Sequence, residues 1–198
     1  ANDLTAALDA IIDRALRDQR IVGAVVLTAQ EGRATYSRAA GLADREAGRH
    51  MALDSILRLS SLTKPIVTAA ALALVEDGTL SLDDTAERWL PDFRPKLGSE
   101  APPITVRQLL THTAGLSYGF MQPADGPYLK LGVSDGMDQP GLGFEAELAR
   151  IVQAGLFFPP GAAWLYSVGL DVLGAILEAA AGETLPDIVA RRVTRRLG

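Results

Sequence analysis

The sequence predicts an α/β chain of the α+β kind, with one helix and a β-hairpin ahead of a mostly helical remainder. Three observations carry that expectation. Apolar residues recur at helical spacing near the start, two strand-like runs flank a short polar turn, and a long apolar run occupies residues 64–78. Leu4, Leu8, Ile11, Ile12 and Leu16 fall on one helical face, which predicts an amphipathic helix over residues 3–18. "IVGAVVLTA" (21–29) reads as a strand, "QEGR" as a turn and "ATYSRAAGL" (34–42) as the hairpin partner. "KPIVTAAALALVEDG" (64–78) is apolar on nearly every side as far as Val75, so a buried central helix ending near Gly78 is expected. Proline is tolerated only in the first helical turn, so Pro65 sets the start of that helix near residue 61 or 62.

Thr105 and Gln108 form a T-x-x-Q capping box at the head of "TVRQLLTH", a short helix. Residues 113–143 hold seven glycines and three prolines and are expected to be largely loop, part of it over a cleft. Helices follow at about 144–155, 168–181 and 185–197. This inventory has only two strands beside six helices, and an isolated two-stranded sheet is marginal in water. The missing strands are expected from further sequence or from a companion chain.

Composition narrows the function classes. Of 198 residues 48% are hydrophobic and 22% charged, the balance of a globular domain. With no cysteine, the chain has no disulfide, thiolate nucleophile or cysteine metal site. The net charge of −5 argues against nucleic acid, and "ARRVTRRLG", the one basic cluster, has the spacing of a solvated helix face. No run approaches the ~20 apolar residues of a membrane span. His50 and His112 lack a metal-ligand spacing, so no metal site is expected on them.

Two serines compete as nucleophile. "GLSYG" (115–119) matches the G-x-S-x-G nucleophile elbow, yet it follows a helix and enters a Gly/Pro-rich stretch, and no histidine follows His112. The strand–turn–helix that lifts an elbow serine into the open is absent, so Ser117 is set aside. "SLTK" (61–64) matches S-x-x-K. Ser61 falls at a helix N-terminus, where free backbone N–H groups bind anions. Lys64 lies one turn on, with Cβ atoms ~5–6 Å apart at that spacing. Burial and the positive end of the helix dipole both disfavour its charge, so a neutral lysine base is expected.

The ordered stretches "SSLTKP", "VEDGTLSLDDTAERWLPDF", "ITVRQLLTHTAGL" and "PPGAAWLYSVGLDVLGAILEAAAG" resemble the serine β-lactamase and penicillin-binding-protein superfamily over nearly the whole chain. Within it, the class C-like family VIII carboxylesterases are the nearest likeness. The resemblance implies a β-lactamase/transpeptidase-like fold, an α+β sandwich with a helical domain. Residues 1–60 would be the first part of the α/β domain and 61–198 the mostly helical domain, with most sheet strands lacking. It makes Ser61 the acylated nucleophile, Lys64 its base partner, and Tyr166 of "YSV" a second base or proton relay. It implies no metal or organic cofactor and a small-molecule ester as substrate; a cytoplasmic location is expected, with a periplasmic or secreted one as the alternative. The remaining half of the fold is then a required partner, on the same polypeptide or another.

Two departures shape the functional expectation. Val168 stands where β-lactamases of this type usually carry an asparagine that binds the antibiotic's side-chain amide. The third family motif (K-T-G, H-x-G or W-x-G), which supplies the second oxyanion donor, does not follow Tyr166. The first departure points to a short-chain carboxylesterase working through an acyl-enzyme. A β-lactamase, D-amino-acid peptidase or amide hydrolase is the second reading, and a non-catalytic penicillin-binding-like module the third.

Overall fold

A computed structural model describes residues 2–138 and 141–197. The chain divides into two compact units, one ending at Arg58 and one beginning at Leu59.

In the first unit, helix α1 (Asn2–Arg17) precedes an antiparallel hairpin, β1 (Gly23–Gln30) and β2 (Arg33–Asp44). The hairpin turns at Glu31 and Gly32, both at positive φ (51° and 74°), the two-residue geometry whose twist suits a right-handed ribbon. Gly41 sits at φ 79°, and a Cβ there would lie 2.3 Å from the Val22 carbonyl oxygen, so no other residue fits. α1 is tied to β2 by polar contacts: Tyr36 donates to Asp9 at 2.7 Å, and Arg38 reaches Asp9 at 2.8 Å and Asp13 at 2.5 Å. The Tyr36 hydroxyl, with Arg38 beside it, holds the Asp9 carboxyl below its usual range despite partial desolvation. A third strand, β3 (Arg49–His50), pairs with β2 and was not expected. Two residues are too few to show a period.

The second unit is helical and holds the main core. The chain runs through a 3₁₀ turn (Ser60–Leu62) into α2 (Thr63–Glu76), then α3 (Ala86–Trp89), α4 (Val106–Leu110) and α5 (Pro127–Leu131). α6 (Phe144–Ala154) and α7 (Gly169–Ala181) follow, then α8 (Leu185–Val189), a π-helical turn (Ala190–Thr194) and α9 (Arg195–Leu197). α7 is the central rod, its residues Val172, Leu173, Ile176 and Leu177 wholly buried against α2, α3, α4 and α8. Each such side chain contributes about 1.5–3 kcal/mol as an upper figure. The Thr105–Gln108 capping box forms as expected, with both reciprocal hydrogen bonds in place. Arg191 and Arg192 of the basic cluster pair with Glu183 and Asp77.

One expectation is corrected here. α2 is not interior on all sides: Val67, Ala70, Ala71 and Leu74 form one buried stripe, while Leu72 stays 46% exposed. One helix can bury only the faces its neighbours cover, and within this unit those neighbours lie on the α7 and α8 side. The stretch 113–143 is largely irregular where it is described, as expected, and much of it packs inward. Ala114, Leu116, Tyr118 and Tyr128 are buried, a 3₁₀ turn (Gly119–Met121) and α5 interrupt it, and Gly132 closes α5 in the left-handed conformation. Gly115, Gly132, Gly136 and Gly141 take positive φ along it. Gln139 and Pro140 lie outside the described residues.

Candidate functional site

The start of α2 builds one wall. Ser60 has φ 50°, a strained left-handed value, and turns the chain into the 3₁₀ segment that carries Ser61. α2 then begins at Thr63, so Pro65 lies in its first turn, where no N–H is missed. The helix N-cap is Leu62, with no side-chain cap, so the Ser61 hydroxyl is not spent on capping. Lys64 returns over it, Nζ to Oγ 3.5 Å, at the long limit of a hydrogen bond.

The opposite wall is the segment leading into α7. Tyr166 places its phenol oxygen 2.8 Å from Ser61 Oγ. Lys64 Nζ lies 4.8 Å from the Tyr166 ring centre and 5.3 Å from that of Tyr118, and the two rings are 5.3 Å apart. Tyr118 in turn stacks on Phe120 at 4.9 Å. The structure therefore brings Ser61, Lys64 and Tyr166 together, from positions as far as 105 residues apart, and adds Tyr118. A cavity of about 520 Å³, bounded in part by Ser134, Phe144, Glu147 and Asp171, is lined by none of Ser61, Lys64, Tyr118 and Tyr166.

Electrostatics divide the labour in this group. Partial burial disfavours the Lys64 charge, but hydrogen bonding to Tyr118 and Tyr166 outweighs it, and the amine is held above its ordinary pKa. Burial pushes the Tyr166 phenol up; hydrogen bonds from Lys64 and Ser61, with the ammonium charge, outweigh that and bring it below its ordinary value. Tyr118 goes the other way, to about 12, through burial first and then the negative charge of Asp171. Lys64 thus keeps its proton, Tyr166 is the phenol whose ionisation the neighbouring cation favours, and Tyr118 stays neutral. The expectation of an uncharged lysine is corrected accordingly. That expectation rests on burial and the helix end, and the Tyr118 and Tyr166 phenols act the other way.

Ser117 is 1% exposed. Its hydroxyl donates to the Tyr118 carbonyl at 3.3 Å and its N–H to the Tyr128 hydroxyl at 3.4 Å, so it faces the core and no base. The pentapeptide nonetheless carries a site residue, Tyr118, which the sequence reading passed over because the motif directs attention to its serine. Val168 is 1% exposed and is the N-cap of α7, with its N–H donating to the Ser117 carbonyl at 3.2 Å. His50 lies in β3 and His112 beside Tyr166; among the described residues no group of three or more His, Cys, Asp or Glu is placed to hold a metal ion. No helix among them is long and apolar enough to cross a membrane.

Chemically, a hydroxyl hydrogen-bonded to a phenol of lowered pKa, with a cation beside both, can serve nucleophilic attack on an electrophilic carbonyl. Comparison with known proteins points the same way. The family described as Beta-lactamase matches residues 8–198. Esterase EstB of Burkholderia gladioli is 50% identical over 200 residues, all of this chain and 51% of its own length. A lovastatin esterase of Penicillium rubens is 33% identical, over 96% of this chain and 51% of its own. Among solved structures, EstCE1, "a hydrolase with promiscuous acyltransferase activity", superposes with a TM-score of 0.95 at 45% identity, over 100% of this chain and 52% of that one. The chain spans about half the length of the relatives it matches.

Proposed function

The chain belongs to the Beta-lactamase family, and on that footing we propose that it is the nucleophile-bearing part of a serine carboxylesterase for short-chain esters. The observation that carries the reading is the Ser61 hydroxyl held 2.8 Å from a phenol whose pKa is lowered beside an ammonium. In the proposed cycle the Ser61 O–H proton passes to the Tyr166 phenolate as Oγ attacks the ester carbonyl. The Lys64 ammonium offsets the negative charge throughout. The tetrahedral oxyanion is held by the Ser61 backbone N–H and by a second donor from the remaining half of the fold. Collapse breaks the C–O bond to the alcohol, which leaves with the proton held by Tyr166. Water, or another alcohol, then repeats the sequence on the acyl-enzyme and frees Ser61.

Two further points support esters over β-lactams. The matched relatives include proteins named as esterases and acyltransferases. Val168 offers no amide for an antibiotic side chain and is packed inward. The remaining half of the fold is proposed to come from the same polypeptide or a companion chain, since the relatives are about twice as long.

The test is labelling of the full-length protein with a fluorophosphonate, followed by peptide mapping. Label on Ser61 is expected. Label on the peptide containing Ser117 with Ser61 bare would overturn the assignment, and no uptake at all would favour a non-catalytic member of the family.

A further inference from the structure

We propose that His112 is a positioning residue that fixes Tyr166 against Ser61. The backbone on either side of the phenol is fastened to this single residue. The Leu165 N–H donates to the His112 carbonyl at 2.9 Å, and the Ser167 N–H donates to His112 Nδ1 at 3.3 Å. Between those two bonds, the imidazole lies against the Tyr166 ring itself, centroids 4.7 Å apart at 52°. Trp164 meets the His112 imidazole edge-on, centroids 6.2 Å apart. Four consecutive residues, 164 to 167, are thus placed by one histidine.

The local backbone suits this use. His112 has φ 57°, a left-handed value that most side chains avoid and that Asn, Asp and His adopt most readily. With it, the carbonyl and the ring of one residue both reach the same neighbouring segment. An amide N–H can only donate, so Nδ1 accepts and the ring proton sits on Nε2. A doubly protonated ring would have no acceptor left. Burial, and then the Lys64 charge, hold the imidazole below its ordinary pKa, which keeps that acceptor available. The surrounding contacts extend the same shelf: Gly161 donates to the Thr113 carbonyl at 2.7 Å and Val168 to that of Ser117 at 3.2 Å. Ser167, 1% exposed, adds its hydroxyl at 3.3 Å from Nδ1.

This inference rests on the reading of Tyr166 as the base for Ser61, and the experiment separates the two. In the full-length protein, His112→Asn, His112→Phe and His112→Ala are compared on a p-nitrophenyl ester, with active sites counted by fluorophosphonate titration. Asn presents Oδ1 near the place of Nδ1 and tolerates the left-handed backbone, so kcat within about threefold of wild type is expected. Phe keeps an aromatic ring and loses the acceptor. For Phe and Ala, kcat per titrated site should fall about 10- to 100-fold, the scale of a 1 Å misplacement, with KM little changed. The acid limb of their kcat–pH profile should also move to higher pH, because a displaced phenol loses its contact with Lys64. Phe or Ala variants with wild-type kcat would overturn the role, and so would an Asn variant as impaired as Phe. A rate loss fully accounted for by fewer titrated sites would make the role merely structural and overturn it too. A wild-type protein that is not labelled at Ser61 removes the esterase reading itself, and this inference with it.

Discussion

Replacing Lys64 by Met keeps the length of the side chain and deletes its charge. The phenol of Tyr166 then loses the hydrogen bond and the cation that lower its pKa, while the burial that raises it remains. The magnitude follows from the separation. Unit charges 4.8 Å apart, the distance from Nζ to the ring centre, interact by about 3.5 kcal/mol at an effective dielectric of 20 and about 1 kcal/mol in water. Both groups are partly solvated, so screening places the loss nearer the lower figure, about 1–2 kcal/mol. Below its pKa the phenolate fraction falls in proportion, so kcat at neutral pH should drop roughly 5- to 30-fold from this effect alone. The sign is fixed: the active form is deprotonated and the substitution raises its pKa, so the acid limb of the profile moves to higher pH. The assay is kcat against pH on a p-nitrophenyl ester with the full-length enzyme. Partial recovery of Lys64→Met at high pH is expected. A loss of the same size at every pH would refute the reasoning, because it would mean that the amine itself takes the proton.

Other outcomes follow from the same coordinates. Ser117→Ala should keep esterase activity near wild type and lower unfolding free energy by about 1 kcal/mol, the worth of one buried hydrogen bond, as read by urea denaturation. Thr105→Ala removes the capping box of α4 and should cost about 0.5–2 kcal/mol in the same measurement, with Ser61 labelling unchanged. Leu173→Ala, at a wholly buried position on α7, should cost about 2–5 kcal/mol; a loss below 1 kcal/mol would contradict the packing described.

Much of this fold was legible because several elements declare themselves locally. Pro65 and Gly78 bracket α2 by backbone chemistry alone, and Thr105 with Gln108 announces α4. The helices from Phe144 onward follow their apolar period. The two-residue β3 and four-residue α3 carry no period and were missed. Within the site, Ser61 and Lys64 are three residues apart, so their adjacency could be read from the chain. The parts that decide the chemistry come from farther away. Tyr118 and Tyr166 set the charge of Lys64, and His112 meets Ser167 across 55 residues. A local argument from burial and the helix end therefore predicted a neutral amine, because it could not include acceptors that only the tertiary fold delivers.

That division of charge is measured most directly by a pH titration of phenolate absorbance, wild type minus Tyr166→Phe, on the full-length protein. The account predicts a difference signal that titrates below the ordinary tyrosine value of about 10 and moves upward in Lys64→Met. A Tyr166 signal that titrates at or above that value in the wild-type protein, unmoved by loss of the lysine, would contradict it.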